Sequence, residues 1–187
     1  RPGRIGDDLV VAGGHDRAAD LAEVRVGGIG LQIVLAAALL GEGIADPSWV
    51  GEVESETPSL SSLVVHLGLD RDLAAEGWNH HEFFDMVGYD YEAEYRALLE
   101  GRFDEVGMII SNYTVTDPGN APDGGTVLVL TTLAPWDHRD VWGTGGRLDG
   151  YRSNPRYQEV KDEAGSILID RAEARIPGLR DAIVHCT

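Results

Sequence analysis

Two apolar runs limit what this chain can fold into. Leu63-Val64-Val65-His66-Leu67-Gly68-Leu69 and Thr126-Val127-Leu128-Val129-Leu130-Thr131-Thr132-Leu133 are short and largely apolar at both alternating positions. Each reads as a strand covered on both sides. A third strand-like run spans Met108 to Val115, and a dense turn region, Asp117-Pro118-Gly119-Asn120-Ala121-Pro122-Asp123-Gly124-Gly125, separates it from Thr126. That order predicts an antiparallel hairpin with a long loop. Asn154-Pro155 then opens a long helix, with a capping residue before a proline in the first turn. Tyr157, Val160, Ala164, Ile167, Leu168 and Ala172 keep helical spacing, and Ile176-Pro177-Gly178 ends it. The expected fold is α+β: a mixed or antiparallel sheet from 61–69, 107–115, 126–134 and, as a further candidate, 181–187, with the 154–176 helix packed on it.

The remaining segments fit around this frame. Asp46-Pro47-Ser48-Trp49 has a polar residue before proline, as at a helix start. Tyr91, Tyr95, Leu98 and Leu99 fall on one helical stripe that stops at Gly101. Asp7 to Ala12 suggests a short strand. Gly27, Gly28 and Gly30 precede Leu31 to Leu40, an Ala- and Leu-rich helix candidate stopped by Gly41 and Gly43. Residues 1–41 form a poorly defined segment, and 42–187 read as one domain.

Composition removes several functions. The chain has 187 residues, with 15 basic against 32 acidic, a net charge of -17. Such a surface repels phosphate backbones and anionic lipid, so nucleic acid is not an expected partner. A single cysteine, Cys186, excludes an internal disulfide and any multi-cysteine zinc site. No run reaches the ~20 apolar residues of a spanning helix, and no signal pattern opens the chain. A cytoplasmic location is expected, with peripheral association at a membrane surface as the alternative. No basic amphipathic helix supports attachment to a membrane surface.

Candidate chemistry is sparse. Gly28-Ile29-Gly30 supplies two glycines of a dinucleotide turn, but Ile33 stands at the third, and no acidic residue follows on a strand about 20 residues on. His81-Glu82-Phe83-Phe84-Asp85 replaces the second histidine of H-E-x-x-H with aspartate. His81, Asp85 and a distant His66 would be a weak metal set. Counting from Asp117, a calcium loop would need glutamate where Leu128 stands. Cys186 and His185 are strand neighbours and so point to opposite faces. No G-x-S-x-G elbow occurs. No metal site is therefore expected. The aromatics Trp78, Phe83, Phe84, Trp136 and Trp142 lie beside glycine, proline and charge, where they would serve either as core or as lining for an apolar ligand.

The blocks together carry a resemblance. Pro58-Ser59-Leu60-Ser61-Ser62-Leu63-Val64-Val65-His66-Leu67-Gly68-Leu69-Asp70 resembles a stretch of the phytoene desaturase-like flavoproteins, the group of carotenoid desaturases, carotenoid isomerases and retinol saturases. The Pro118…Gly125 turn followed by Thr126 to Trp136, and Tyr157…Lys161…Ile176-Pro177-Gly178-Leu179-Arg180-Asp181-Ala182-Ile183, match in the same order. The resemblance covers about residues 42–187. It implies an FAD-dependent oxidoreductase acting on a lipophilic, polyene or isoprenoid substrate by desaturation, saturation or isomerisation. It also implies that this chain is a fragment, the substrate-binding domain, and that its partner is the FAD-binding domain of the same parent. The family's amino-terminal FAD fingerprint and its carboxy-terminal flavin segment are absent from these residues. FAD would thus belong to the parent, with none expected on this piece. The substrate-lining candidates are Trp78, His80, His81, Phe83 and Trp136; catalytic residues are unassigned. The alternative is a stand-alone apolar-ligand-binding module without redox chemistry.

Overall fold

The computed structural model describes residues 46–55, 60–136, 140–145 and 151–187. The readings over 7–12, Gly28-Ile29-Gly30 and 31–40 lie outside the described residues. Among the described residues the strands are β1 (Ser61–Leu69), β2 (Glu82–Asp85), β3 (Met108–Asn112), β4 (Thr126–Ala134) and β5 (Ile183–Cys186). They form one sheet in the order β2-β3-β4-β1-β5. Every pairing is antiparallel. The helices are α1 (Pro47–Ser55), α2 (Tyr91–Leu99), α3 (Tyr113–Thr116), α4 (Pro155–Arg175) and α5 (Leu179–Ala182). The expected α+β class is met, with a wholly antiparallel sheet.

Strand alternation decides where the core sits. Leu63, Val65, Leu67 and Leu69 of β1 pair with Thr132, Leu130, Leu128 and Thr126 of β4, and all eight are buried. Met108 and Ile110 of β3 extend this face. Helix α4 covers it with Ala164, Leu168, Ile169 and Ala172, joined by Ile176 beyond its end. Burying one such leucine contributes about 1.5–3 kcal/mol. The helix begins as the sequence predicts: Asn154 Oδ1 accepts from Arg156 N at 3.0 Å, and Pro155 occupies the first turn. Gly178, in the left-handed conformation at φ 81°, turns the chain into α5.

The other face corrects the sequence reading. Strand β1 is not covered on both sides: Val64 is half-buried and His66 is exposed. Phe84 and Leu133 on the same face are 58% and 51% exposed. β-Branched residues suit a half-buried pleated surface as well as a fully buried one, so composition could not separate the two. A second correction concerns β3, which stops at Asn112 rather than running to Val115. Tyr113–Thr116 turns into the short α3, where Tyr113 O accepts from Asp117 N. Third, the buried side of α2 is Ala97 and Leu98, while Tyr91 and Tyr95 are exposed. Ala97 and Leu98 meet Val106 and Leu60 instead.

The edge strand β2 escaped the sequence reading. Its four residues are too short and too mixed for a period-2 signal. It is held by charge. Asp85 is buried; its carboxylate accepts from Arg171 Nη2 at 2.8 Å and from Arg175 Nη2 at 2.6 Å. Arg171 also donates to the carbonyls of Phe103, Val106 and Asp85. One side chain of α4 thus ties together the edge strand and the 103–106 turn.

Two predictions follow from these contacts. The Asp85 and Arg171 side chains are largely buried, whereas Arg175 is half exposed. Replacing Arg171 by Met takes the donor from Asp85 Oδ2 and from three carbonyls, and urea unfolding should register a loss of about 3 kcal/mol. Arg175→Met should cost no more than about 1 kcal/mol; equal losses would contradict the arrangement. Glu173 accepts from the backbone N–H of Arg180 and Gly178, which holds its carboxyl below the ordinary carboxylate value. A carboxylate depressed in the folded state adds stability above the unfolded value of 4.5, and that contribution disappears as pH falls through the folded value. Glu173→Gln should therefore melt below the parent at pH 7, and the gap should narrow as pH falls below 4.5.

Candidate functional site

The segment from Asp70 to His81 forms a loop at one end of the sheet, and its backbone is fixed by few bonds. Asp72 Oδ1 accepts from Ala75 N at 3.0 Å, and Leu73 O accepts from Trp78 N at 2.8 Å. Gly77 holds φ 102°, a conformation that L side chains rarely adopt. The Thr126 hydroxyl accepts from Leu73 N and donates to Arg71 O, stitching the loop to β4. Past Trp78 the chain meets β3: His81 O accepts from Asn112 N at 2.7 Å.

Under this loop lies a cavity of about 250 Å³, lined by Leu73, Trp78, His80, Phe83, Asn112 and Leu128, among others. Trp78 and Phe83 meet edge to face, with ring centroids 5.8 Å apart, a favourable arrangement for their quadrupoles. Phe83, though 39% exposed, borders the cavity because it pairs with Ile110 on the core face of the sheet. Phe84, one residue on, faces the other side. The sequence could not say which of the two phenylalanines turns inward, because that depends on the register of an edge strand.

Asn112 is the residue that sequence reasoning missed. It is 4% exposed and continues the Met108, Ile110 row on the core face. Its Nδ2 donates to Trp78 O at 3.0 Å. Its Oδ1 is buried and has no donor among the described residues. An asparagine directly before a helix ordinarily caps it, but Asn112 makes no side-chain cap to α3. An unmet buried acceptor costs about 1–3 kcal/mol. The only sequence signal was an asparagine at the end of an apolar strand.

Of the five expected lining residues, the structure brings Trp78, His80 and Phe83 together. His81 stands outside the cavity lining, its ring edge-on to Tyr113 at 5.2 Å. Trp136 is half-buried beyond the far end of β4. Eight residues from Leu128 at about 3.3 Å each place it on the order of 26 Å away. Trp142 is core: it packs on Phe103 and Tyr157, and its Nε1 donates to Pro135 O at 2.7 Å.

Metal and nucleophile readings fail on geometry. Asp85 is occupied by two guanidinium groups, and His66 faces away on β1's other side. Among the described residues no group of three or more His, Cys, Asp or Glu converges to hold a metal. Cys186 pairs with Leu67 and packs against the core, and burial pushes its thiol up. A larger open groove of about 670 Å³ runs between the 85–94 and 104–105 segments and α4. Its cations, Arg171 and Arg175, are the ones already engaged by Asp85. No helix among the described residues is long and apolar enough to cross a membrane. Compared with protein-family models and with curated proteins, the chain finds no match.

The thiol gives a direct check. The folded chain at pH 8 should react with a disulfide reagent more slowly than the unfolded chain, because the thiolate is the nucleophile and burial disfavours it. Equal rates would mean that Cys186 is not packed as described.

Proposed function

We propose that this chain is the substrate-binding part of a phytoene desaturase-like, FAD-dependent oxidoreductase. In this reading it holds a lipophilic polyene or isoprenoid substrate by seating one end of it under Trp78 and Phe83. The observation that carries the reading is the aromatic cavity: apolar rings on a rigid sheet, with few polar groups, suit an apolar ligand. Its size sets what enters. A cavity of 150 Å³ already admits benzene, so 250 Å³ takes a ring with a short substituent, not a whole polyene. The rest of a long substrate would lie outside. The half-open face bearing Phe84, Ile109 and Leu133 is the natural seat for the parent's cofactor domain.

The described residues do not suit FAD by themselves. A dinucleotide turn needs a strand, a glycine turn and a helix in a parallel βαβ unit, and every strand pairing here is antiparallel. When bound in the parent, the flavin would supply the hydride or redox chemistry. This chain's own residues bind and orient the substrate end and keep water from it.

One feature favours the alternative of a stand-alone apolar-ligand module: the lining of the cavity comes entirely from residues 73–128. Two measurements separate the readings. Parinaric acid, a conjugated lipophilic tetraene, should gain fluorescence saturably with the purified chain, and Trp78→Ala should weaken it at least ~10-fold. Absence of saturable binding would remove both readings. The coding sequence flanking the chain should then carry an in-frame strand-turn-helix with G-x-G-x-x-G upstream; its absence would leave only the module.

A further inference from the structure

Strand β2 leaves a bare edge. It lies at one end of the sheet, and among the described residues its strand neighbour is β3 alone. Across that pair Asn112 N donates to His81 O. Bonded pairs alternate along an antiparallel ladder. Phe83 and Asp85 therefore turn their N–H and C=O groups to Ile110 and Met108, and Glu82 and Phe84 turn theirs outward. Among the described residues nothing hydrogen-bonds the backbone of Glu82 or Phe84 from outside the sheet. Both residues are exposed. A bare strand edge is a template for another strand.

The flanking surface says which strand fits. Phe84, Met86, Val87, Tyr89, Tyr91 and Tyr95 are all exposed, Phe84 at 58% and Tyr89 at 91%. Apolar groups left exposed in one segment mark an interaction surface. Residues 84–95 contain no lysine or arginine and carry Asp85, Asp90, Glu92 and Glu94. The open groove on the Asp85 side of the strand adds Asp104 and Glu105. Asp85 is neutralised by its two arginines, and Glu105 is paired with Arg102. Asp90 and Glu94 accept from the backbone N–H of Ala93 and Gly107, and no cation among the described residues pairs with them or with Asp104. Tyrosine rings and free carboxylates both attract cations.

We propose that β2 takes, by strand addition, an extended segment of another protein in which cationic and apolar residues alternate. The inference goes beyond the substrate reading and does not depend on the cavity. Alternate residues of the added strand exchange backbone bonds with Glu82 and Phe84 and share their face, so an apolar side chain there covers Phe84. The residues between them share the face of Phe83 and Asp85, where the groove lies, and a lysine or arginine there reaches toward Asp90, Glu94 and Asp104. A second copy of this chain fits less well, because it would bring the same carboxylates and a further net charge of -17 to the contact.

The acetylated, amidated peptide KVKVKV tests this, titrated into the full chain and followed by ¹H–¹⁵N spectra and hydrogen exchange. The Glu82 and Phe84 amides should shift and exchange at least ~10-fold more slowly, while those of Phe83 and Asp85, already in the ladder, should change less. EVEVEV should bind at least ~10-fold more weakly. Methylating the valine backbone nitrogens of KVKVKV should abolish binding, and methylating those of the lysines should not, because the valine N–H groups are the ones that face β2. Phe84→Pro should weaken binding ~10-fold or more, since it removes an outward N–H and no bond to β3. The peptide series needs no variant, so it decides the matter even if Phe84→Pro fails to fold. Binding that leaves the Glu82 and Phe84 amides unchanged would overturn strand addition, and EVEVEV binding as tightly as KVKVKV would overturn the choice of a cationic partner. No saturable binding of KVKVKV would overturn both. Protection of these two amides that grows with protein concentration, without peptide, would give the edge to a second copy instead.

Discussion

Arg171 decides whether the sheet has its outer strand. Helix α4 lies over the core face through aliphatic contacts, which are non-directional and would tolerate several placements of a four-residue edge strand. The guanidinium is directional. It reaches the Asp85 carboxylate and the carbonyls of Phe103, Val106 and Asp85 at once. Placing Asp85 on the core face also places Phe83 there, because the two are separated by one residue on the same strand. The cavity therefore depends on an ion pair that does not line it. A one-residue slip of β2 would turn Phe84 inward and send Asp85 out.

The second determinant is the Thr126 hydroxyl. It bridges Leu73 N and Arg71 O, fixing the loop whose far end carries Trp78. With Asn112 bonded to both His81 O and Trp78 O, that loop is tied to the sheet at three places. A wall built in this way is rigid before any ligand arrives, so little ordering cost remains at binding. Asn112 Oδ1 stays buried without a donor among the described residues.

The sequence was informative where one signal dominated. Asn154-Pro155 and Pro177-Gly178 mark the two ends of α4 because capping and backbone restriction act within a few residues. The runs at 61–69 and 126–134 declared themselves as strands by apolar residues at both alternating positions, and the β-prone run from Met108 did so as far as Asn112. Asp46 before Pro47 likewise announced α1, and its carboxylate accepts from Ser48 N at 2.8 Å. The aromatic and polar cluster from Trp78 to Phe84 was legible as a place of interest. Its grouping was not: His81 and Trp136 looked equivalent to Trp78 and Phe83, yet neither lines the cavity.

Local chemistry in the chain thus settled the ends of α4, the two long strands β1 and β4, the acidic surface and the class of the fold, since each depends on neighbours in sequence. Only the folded arrangement settled which face of each strand is covered, which of two adjacent phenylalanines turns inward, and that Asp85 serves two arginines 86 and 90 residues away rather than a metal. Those outcomes rest on strand register and on charges meeting across the fold, and no window of sequence contains both partners.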